Sequence, residues 1–218
     1  MTAMSLAGLN LPYGRELTAA DLDQIPWRNA KFELLGGQLV VSSDWRPFSA
    51  ADLDEVPDDG HVYEVINGTL FVSAAPGTRH QRVVWNLARL IDDVVPEGLD
   101  PFTAPYEVFL DEETRMQPDL LVADPVAVEP QGVIGAPLLA IEVISPSTRL
   151  KDLMAKKEAL RAAGCRHYWV VDPDEPSVLA WELVEGEYVE AGRAVGEETM
   201  RLERPFPVEV TPQRLIER

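Results

Sequence analysis

The sequence predicts an α/β (α+β) fold, a central mixed sheet flanked by helices, and three observations carry that reading. Hydrophobic periodicity beyond residue 78 runs helix, three strands, helix, strand. A unit made of a short helical turn and a hairpin occurs twice in the first third of the chain. Two carboxylates, Asp119 and Glu142, interrupt apolar runs that otherwise read as buried strands.

The repeat comes first in the chain. Thr18-Ala19-Ala20-Asp21-Leu22-Asp23-Gln24-Ile25-Pro26 returns 31 residues later as Ser49-Ala50-Ala51-Asp52-Leu53-Asp54-Glu55-Val56-Pro57, and the match continues without a gap from Phe32–Ser42 onto Tyr63–Ser73. Thr18 and Ser49 are helix-capping residues, and Gly36-Gly37 and Asn67-Gly68 supply the positive φ values of a two-residue hairpin turn. Two copies are too few for a solenoid, so the pattern predicts a local duplication. Only the second copy leads into a helix, which assigns it to a core at residues 49–218 and leaves 1–48 as an N-terminal extension. That helix starts at Thr78, which has capping-box spacing to Gln81, and aligns Val83, Val84, Leu87, Leu90, Ile91 and Val94 on one face. Strands are then expected at 106–110, 120–123 and 138–144, a helix at about 148–163 closed by Gly164, and strands at 167–171, 178–183 and 188–191.

A chain of 218 residues can bury a full core. Met1 to Arg15 lack a basic start and a sustained apolar stretch, and no run approaches spanning length, which predicts a cytoplasmic protein without a membrane partner. Cys165 is the single cysteine, so no internal disulfide forms, and it reads as a small buried residue. The net charge of -18 argues against a surface broadly adapted to polyphosphate. Residues 142–166, however, sum to +3 against -21 for the rest, and this basic segment directly follows Glu142. Clustering on a solvated helix face is the alternative.

Alternation along 138–144 puts Leu139, Ile141 and Val143 on one face and Ala140, Glu142 and Ile144 on the other. If the strand after Asp119 lies alongside, both carboxylates share a face, and their hard oxygens suit Mg2+ or Mn2+, with the Val143 carbonyl as a further ligand. An ion pair or an N-cap is the alternative role for each acid. His80 points towards the sheet. Glu64, on a hairpin strand, fits a third ligand or an ion-pair member. Arg149 is a candidate for holding phosphate or for bridging to Asp152. Tyr168 and Trp169 read as core, and Glu107 and Asp124 as surface acids.

Glu142-Val143-Ile144-Ser145-Pro146-Ser147-Thr148-Arg149, then Asp152, Lys156, Gly164 and Tyr168-Trp169-Val170-Val171-Asp172-Pro173, resemble the signature of the Uma-two family. Pro118-Asp119, the Tyr63–Gly68 hairpin and His80 extend the match to about residues 49–190. The resemblance implies a restriction-endonuclease-like fold of the PD-(D/E)XK superfamily and an endonuclease. It implies that Asp119 and Glu142 bind metal, that Lys156 replaces a strand lysine absent at Ile144, and that Glu64 and His80 flank the same cleft. Regular helical spacing, by contrast, centres Lys157 on the Leu150, Leu153, Leu160 stripe and leaves Lys156 at its edge.

The expected function is therefore Mg2+- or Mn2+-dependent cleavage of phosphodiester bonds in DNA, with a homodimer as a possible assembly. Two other functions fit the same residues. One is a non-catalytic binding or assembly module that retains the fold, and the other is hydrolysis of a small phosphate ester, which suits an acidic surface.

Overall fold

The computed structural model describes residues 6–27 and 29–217. Its first strands form two hairpins, β1 (Ala30–Leu35) with β2 (Gln38–Ser43) and β3 (His61–Ile66) with β4 (Thr69–Ala74). Both turns have the left-handed conformations expected of them, φ 60° and 94° at Gly36 and Gly37 and φ 48° and 74° at Asn67 and Gly68. Each hairpin is preceded by its helical turn, α1 (Ala19–Leu22) in the first copy and a 3-10 turn (Ala50–Glu55) in the second.

The duplication extends beyond the residues that look alike. Leu17 N–H donates to the Gly37 carbonyl at 3.2 Å, and Phe48 N–H donates to the Gly68 carbonyl at 2.9 Å. Arg15 pairs with Asp21 at 2.7 Å and Arg46 with Asp52 at 2.6 Å, each 31 residues from its counterpart. β2 and β4 lie side by side, antiparallel, with Leu39 opposite Val72, Val40 opposite Phe71 and Val41 opposite Leu70. Each partner is the repeat equivalent of a residue across from it, so a pseudo-two-fold axis passes between Val40 and Phe71.

After α2 (Thr78–Asp92) come β5 (Asp100–Thr103), β6 (Glu107–Asp111), β7 (Thr114–Met116), β8 (Leu120–Ala123), β9 (Val128–Glu129), β10 (Gly132–Ile134) and β11 (Leu139–Val143). A six-residue π-helical stretch (Lys151–Lys156) continues into α3 (Lys157–Ala163), which Gly164 ends in a left-handed cap at φ 86°. β12 (His167–Asp172), β13 (Ser177–Val184), β14 (Glu187–Val195), β15 (Met200–Leu202), β16 (Val208–Val210) and α4 (Pro212–Ile216) complete the chain.

The order in the first sheet is β1-β2-β4-β3-β7-β6-β10-β9, and in the second β14-β13-β12-β11-β8-β5. Both are mixed, through the parallel pairs β6–β10 and β11–β12. One face of the second sheet, with Leu139, Ile141, Val143 and Trp169, packs against Val83, Val84, Leu87 and Ile91 of α2. Its other face, with Leu121, Ala140 and Tyr168, packs against Leu160 of α3 and against Ile66, Phe71 and Met116 of the first sheet. The far face of the first sheet buries Leu39, Val41, Val65, Leu70 and Val72 under Leu9, Leu11 and Leu17. This is the expected helix-flanked mixed-sheet architecture, with the first hairpin built into a sheet. Among the described residues no helix is long and apolar enough to cross a membrane.

Three local expectations are corrected. Thr78 is the first helical residue, not the cap; the cap is Gly77, whose carbonyl accepts from Gln81 N–H at 3.0 Å. The helix over 148–163 is not uniformly α, because the π stretch changes the phase of its side chains. Short strands β5, β7, β9, β10, β15 and β16 were not expected, since they lack a run of alternation long enough to register.

Candidate active site

β8 and β11 are antiparallel neighbours, with Leu120 opposite Ile141. One step further along this register puts Asp119, at the mouth of β8, across from Glu142. The Asp119 carboxylate accepts from Val143 N–H at 2.7 Å and is 3.1 Å from His80 Nε2. These bonds fix the acid at the junction of α2, β8 and β11. His80 Nδ1 is buried without a partner.

Glu142 is 2% exposed, and Lys156 Nζ donates to it at 2.9 Å. Lys156, also 2% exposed, lies 2.8 Å from Glu64 Oε1 and donates to the Gln117 carbonyl at 3.1 Å. Glu64 is an ion-pair member: its other oxygen is paired with Lys151, and Gln117 N–H donates to Oε1 at 2.8 Å. Burial favours a proton on Glu64, yet the two ammoniums hold its carboxyl at about 2. Burial likewise disfavours the Lys156 charge, and the carboxylates of Glu142, Glu64, Asp152 and Asp119 outweigh it, raising its pKa well above the ordinary range. Glu142 is pushed well above the usual carboxylate range, first by burial and then, against the pull of Lys156, by the charges of Asp152, Asp119 and Glu64.

The π stretch explains why Lys156 and not Lys157 enters the site. With i→i+5 bonding, Lys151 and Lys156 come one turn apart on the same side and are buried with Asp152, while Leu150 and Met154 are exposed. Lys157 instead places its ammonium 3.7 Å from the centroid of the Trp181 ring. The wheel drawn on regular helical spacing therefore centred the wrong residues.

Lys151 and Asp152 escaped sequence reasoning as site residues. Asp152 stood in the family signature without an assigned role, and the only signal for Lys151 was its five-residue spacing from Lys156, which has meaning only in a π turn. Asp152 Oδ1 is buried without a hydrogen-bond partner, 3.9 Å from Lys151 Nζ and 4.0 Å from Lys156 Nζ. The remaining expectations divide. Arg149 pairs with Asp172, not Asp152. Arg161 pairs with Glu158 at 2.7 Å and Lys151 and Lys156 turn inward, so only part of the basic segment lies on a solvated face. Glu107 is no free surface acid, since Arg115 holds it at 2.6 Å. Asp124 caps a short turn, accepting from Val126 N–H at 3.0 Å. Tyr168 and Trp169 are fully buried, and burial pushes the Cys165 thiol up to about 12.

These groups open onto a cavity of about 500 Å³ that also touches Gly14 and Glu16 of the N-terminal segment. Beside Glu16, four further carboxylates (Glu64, Asp119, Glu142, Asp152) line it with two ammoniums (Lys151, Lys156) and His80. Among the described residues no three His, Cys, Asp or Glu side chains converge as a ready-made ligand set. The hard carboxylate oxygens of Asp119 and Glu142 still fit Mg2+, which keeps most of its waters and takes one or two protein carboxylates.

A family model, Uma2, with the description "Putative restriction endonuclease", matches residues 45–215. A crystal structure titled as a putative nuclease belonging to DUF820 from Anabaena variabilis is similar in fold, with a TM-score of 0.57 at 20% identity, over 78% of this chain and 98% of that one. Among curated proteins none matches.

Proposed function

The chain belongs to the Uma2 family, and on that premise we propose that it is an endonuclease that hydrolyses phosphodiester bonds in DNA with the aid of Mg2+ or Mn2+. The observation that carries this reading is the Lys156 ammonium, 2.9 Å from Glu142 and reaching the strand acids from the following helix. It supplies the cation that Ile144 does not.

Asp119 and Glu142, with the Val143 carbonyl, would hold the ion. When bound, it would polarise a phosphoryl oxygen and acidify a water. Lys156 stabilises the charge that develops as that water attacks the phosphorus, in a site whose burial strengthens every charge interaction. Glu64 holds both lysines against the strands, and His80 orients Asp119 through Nε2. We assign the catalytic unit to residues 49–218, with 1–48 as an extension whose Gly14 and Glu16 wall the cleft.

The test is cleavage of linear, supercoiled and single-stranded DNA, and of a small aryl phosphodiester, with each metal. Wild-type protein should cut, and Asp119→Ala and Glu142→Ala should each lower the rate about a hundredfold or more with the fold retained. DNA left intact by wild-type protein with both metals would sink the reading, and hydrolysis of the small ester alone would favour the phosphate-ester hydrolase that the acidic surface also suits.

A further inference from the structure

The exposed face of α2 carries a feature that the acids and lysines leave unused. Trp85 is 64% exposed, with Arg82 one turn before it and Arg89 one turn after it. Among the described residues neither arginine makes an ion pair, whereas Arg15, Arg46, Arg79, Arg115 and Arg149 are each committed to an acid. In a chain of net charge -18, two guanidiniums without ion pairs around an exposed indole bring positive charge and stacking surface together.

This face lies next to the cleft. Trp85 and Arg89 form one wall of a second depression, of about 250 Å³, whose other wall is Phe102 and Thr103 and whose far end is Asp92. Gln81, one turn before Trp85, and Ala104, next after Thr103, both line the catalytic cavity. Ala104 N–H donates to the Asp119 carbonyl at 3.2 Å, and a trench along this face from the depression to the cleft would end beside the metal-site acid. Eight residues of helix from Gln81 to Arg89 span roughly 12 Å, room for about two nucleotides.

We propose that this trench takes the single-stranded continuation of the nucleic acid cut in the cleft, one base stacking on Trp85 and the neighbouring phosphates meeting Arg82 and Arg89. The inference rests on the nuclease reading and narrows its substrate. A trench with one aromatic platform and two cations suits an unpaired strand, which supplies an open base face. A duplex presents phosphates without free base faces and needs a wider basic surface than this acidic chain offers.

The test is binding of a fluorescent oligothymidylate to the full chain in EDTA, where no turnover is needed, so failure of binding and failure of cleavage are separate results. Wild-type protein should bind it more tightly than a duplex of equal length. Trp85→Ala should weaken binding about tenfold, and Arg82→Ala with Arg89→Ala should lower the slope of log affinity against log salt by about 1.4. Trp45→Ala, an exposed tryptophan on another surface, should leave affinity unchanged. No measurable oligonucleotide affinity in wild-type protein, or equal affinity in Trp85→Ala with its melting temperature unchanged, would overturn the proposal. A concentration-dependent dimer that dissociates in Trp85→Ala would also overturn it, assigning this face to a second copy of the chain.

Discussion

Single side chains decide the chemistry here, and the most consequential is Lys156, which serves Glu64 and Glu142 together. Removing it leaves two buried carboxylates facing each other, so Lys156→Met should cost about 3–5 kcal/mol in a denaturant titration. Adding Glu142→Leu should return part of that loss, because the second change removes one of the stranded charges. A double variant as unstable as the sum of the singles would refute the coupling. Asp119 and Glu142 were legible because a charge inside an apolar run is costly and needs a reason. Lys151 and Asp152 were not, since they stand among other charged residues where nothing about the sequence distinguishes a buried ion from a solvated one.

At the level of elements, the π stretch sets the site. Its segment, Lys-Asp-Leu-Met-Ala-Lys, has nothing in its composition that separates it from an α-helix, because the extra residue per turn is selected by what the flanking strands demand. Deleting the exposed Met154 should restore ordinary α spacing and leave Lys151 and Lys156 four residues, about one turn, apart on the same side. Far-UV circular dichroism should then keep its helical signal and cleavage should survive, whereas cleavage lost with the helix intact would show that the π turn itself, and not the shared side, is what the site needs. The repeated caps behave differently. Asp52, beside Arg46, is held at about 2 from an ordinary 3.8. A carboxyl depressed on folding stabilises above its unfolded value and loses that contribution as pH falls through its folded one. Asp52→Asn should therefore cost up to about 1 kcal/mol at pH 7, little because Arg46 is half exposed, and progressively less as pH falls from 4 towards 2. A gap between variant and wild type that is undiminished at pH 2 would contradict this.

For the whole molecule, charge is the dominant quantity. With 37 acidic residues against 19 basic ones, self-repulsion opposes compactness, and about 0.5 M NaCl should screen it and raise the melting temperature by several degrees. A melting temperature that falls with salt would mean that the ion pairs outweigh the repulsion. The helix-flanked sheet and its longer strands were legible from periodicity, and the duplication from identity of residues. The pairing of the two copies was not, since a repeat 31 residues apart says nothing about which strands will meet. That pairing, centred between Val40 and Phe71, resembles the contact two identical molecules would make across a dyad. Joined in one chain, the halves stay together however dilute the protein becomes, and neither is bound to remain a copy of the other. Glu64 lies buried among lysines while its counterpart Glu33 sits at the surface beside Lys31, so one half of the symmetric unit serves the site while the other forms the edge of the sheet.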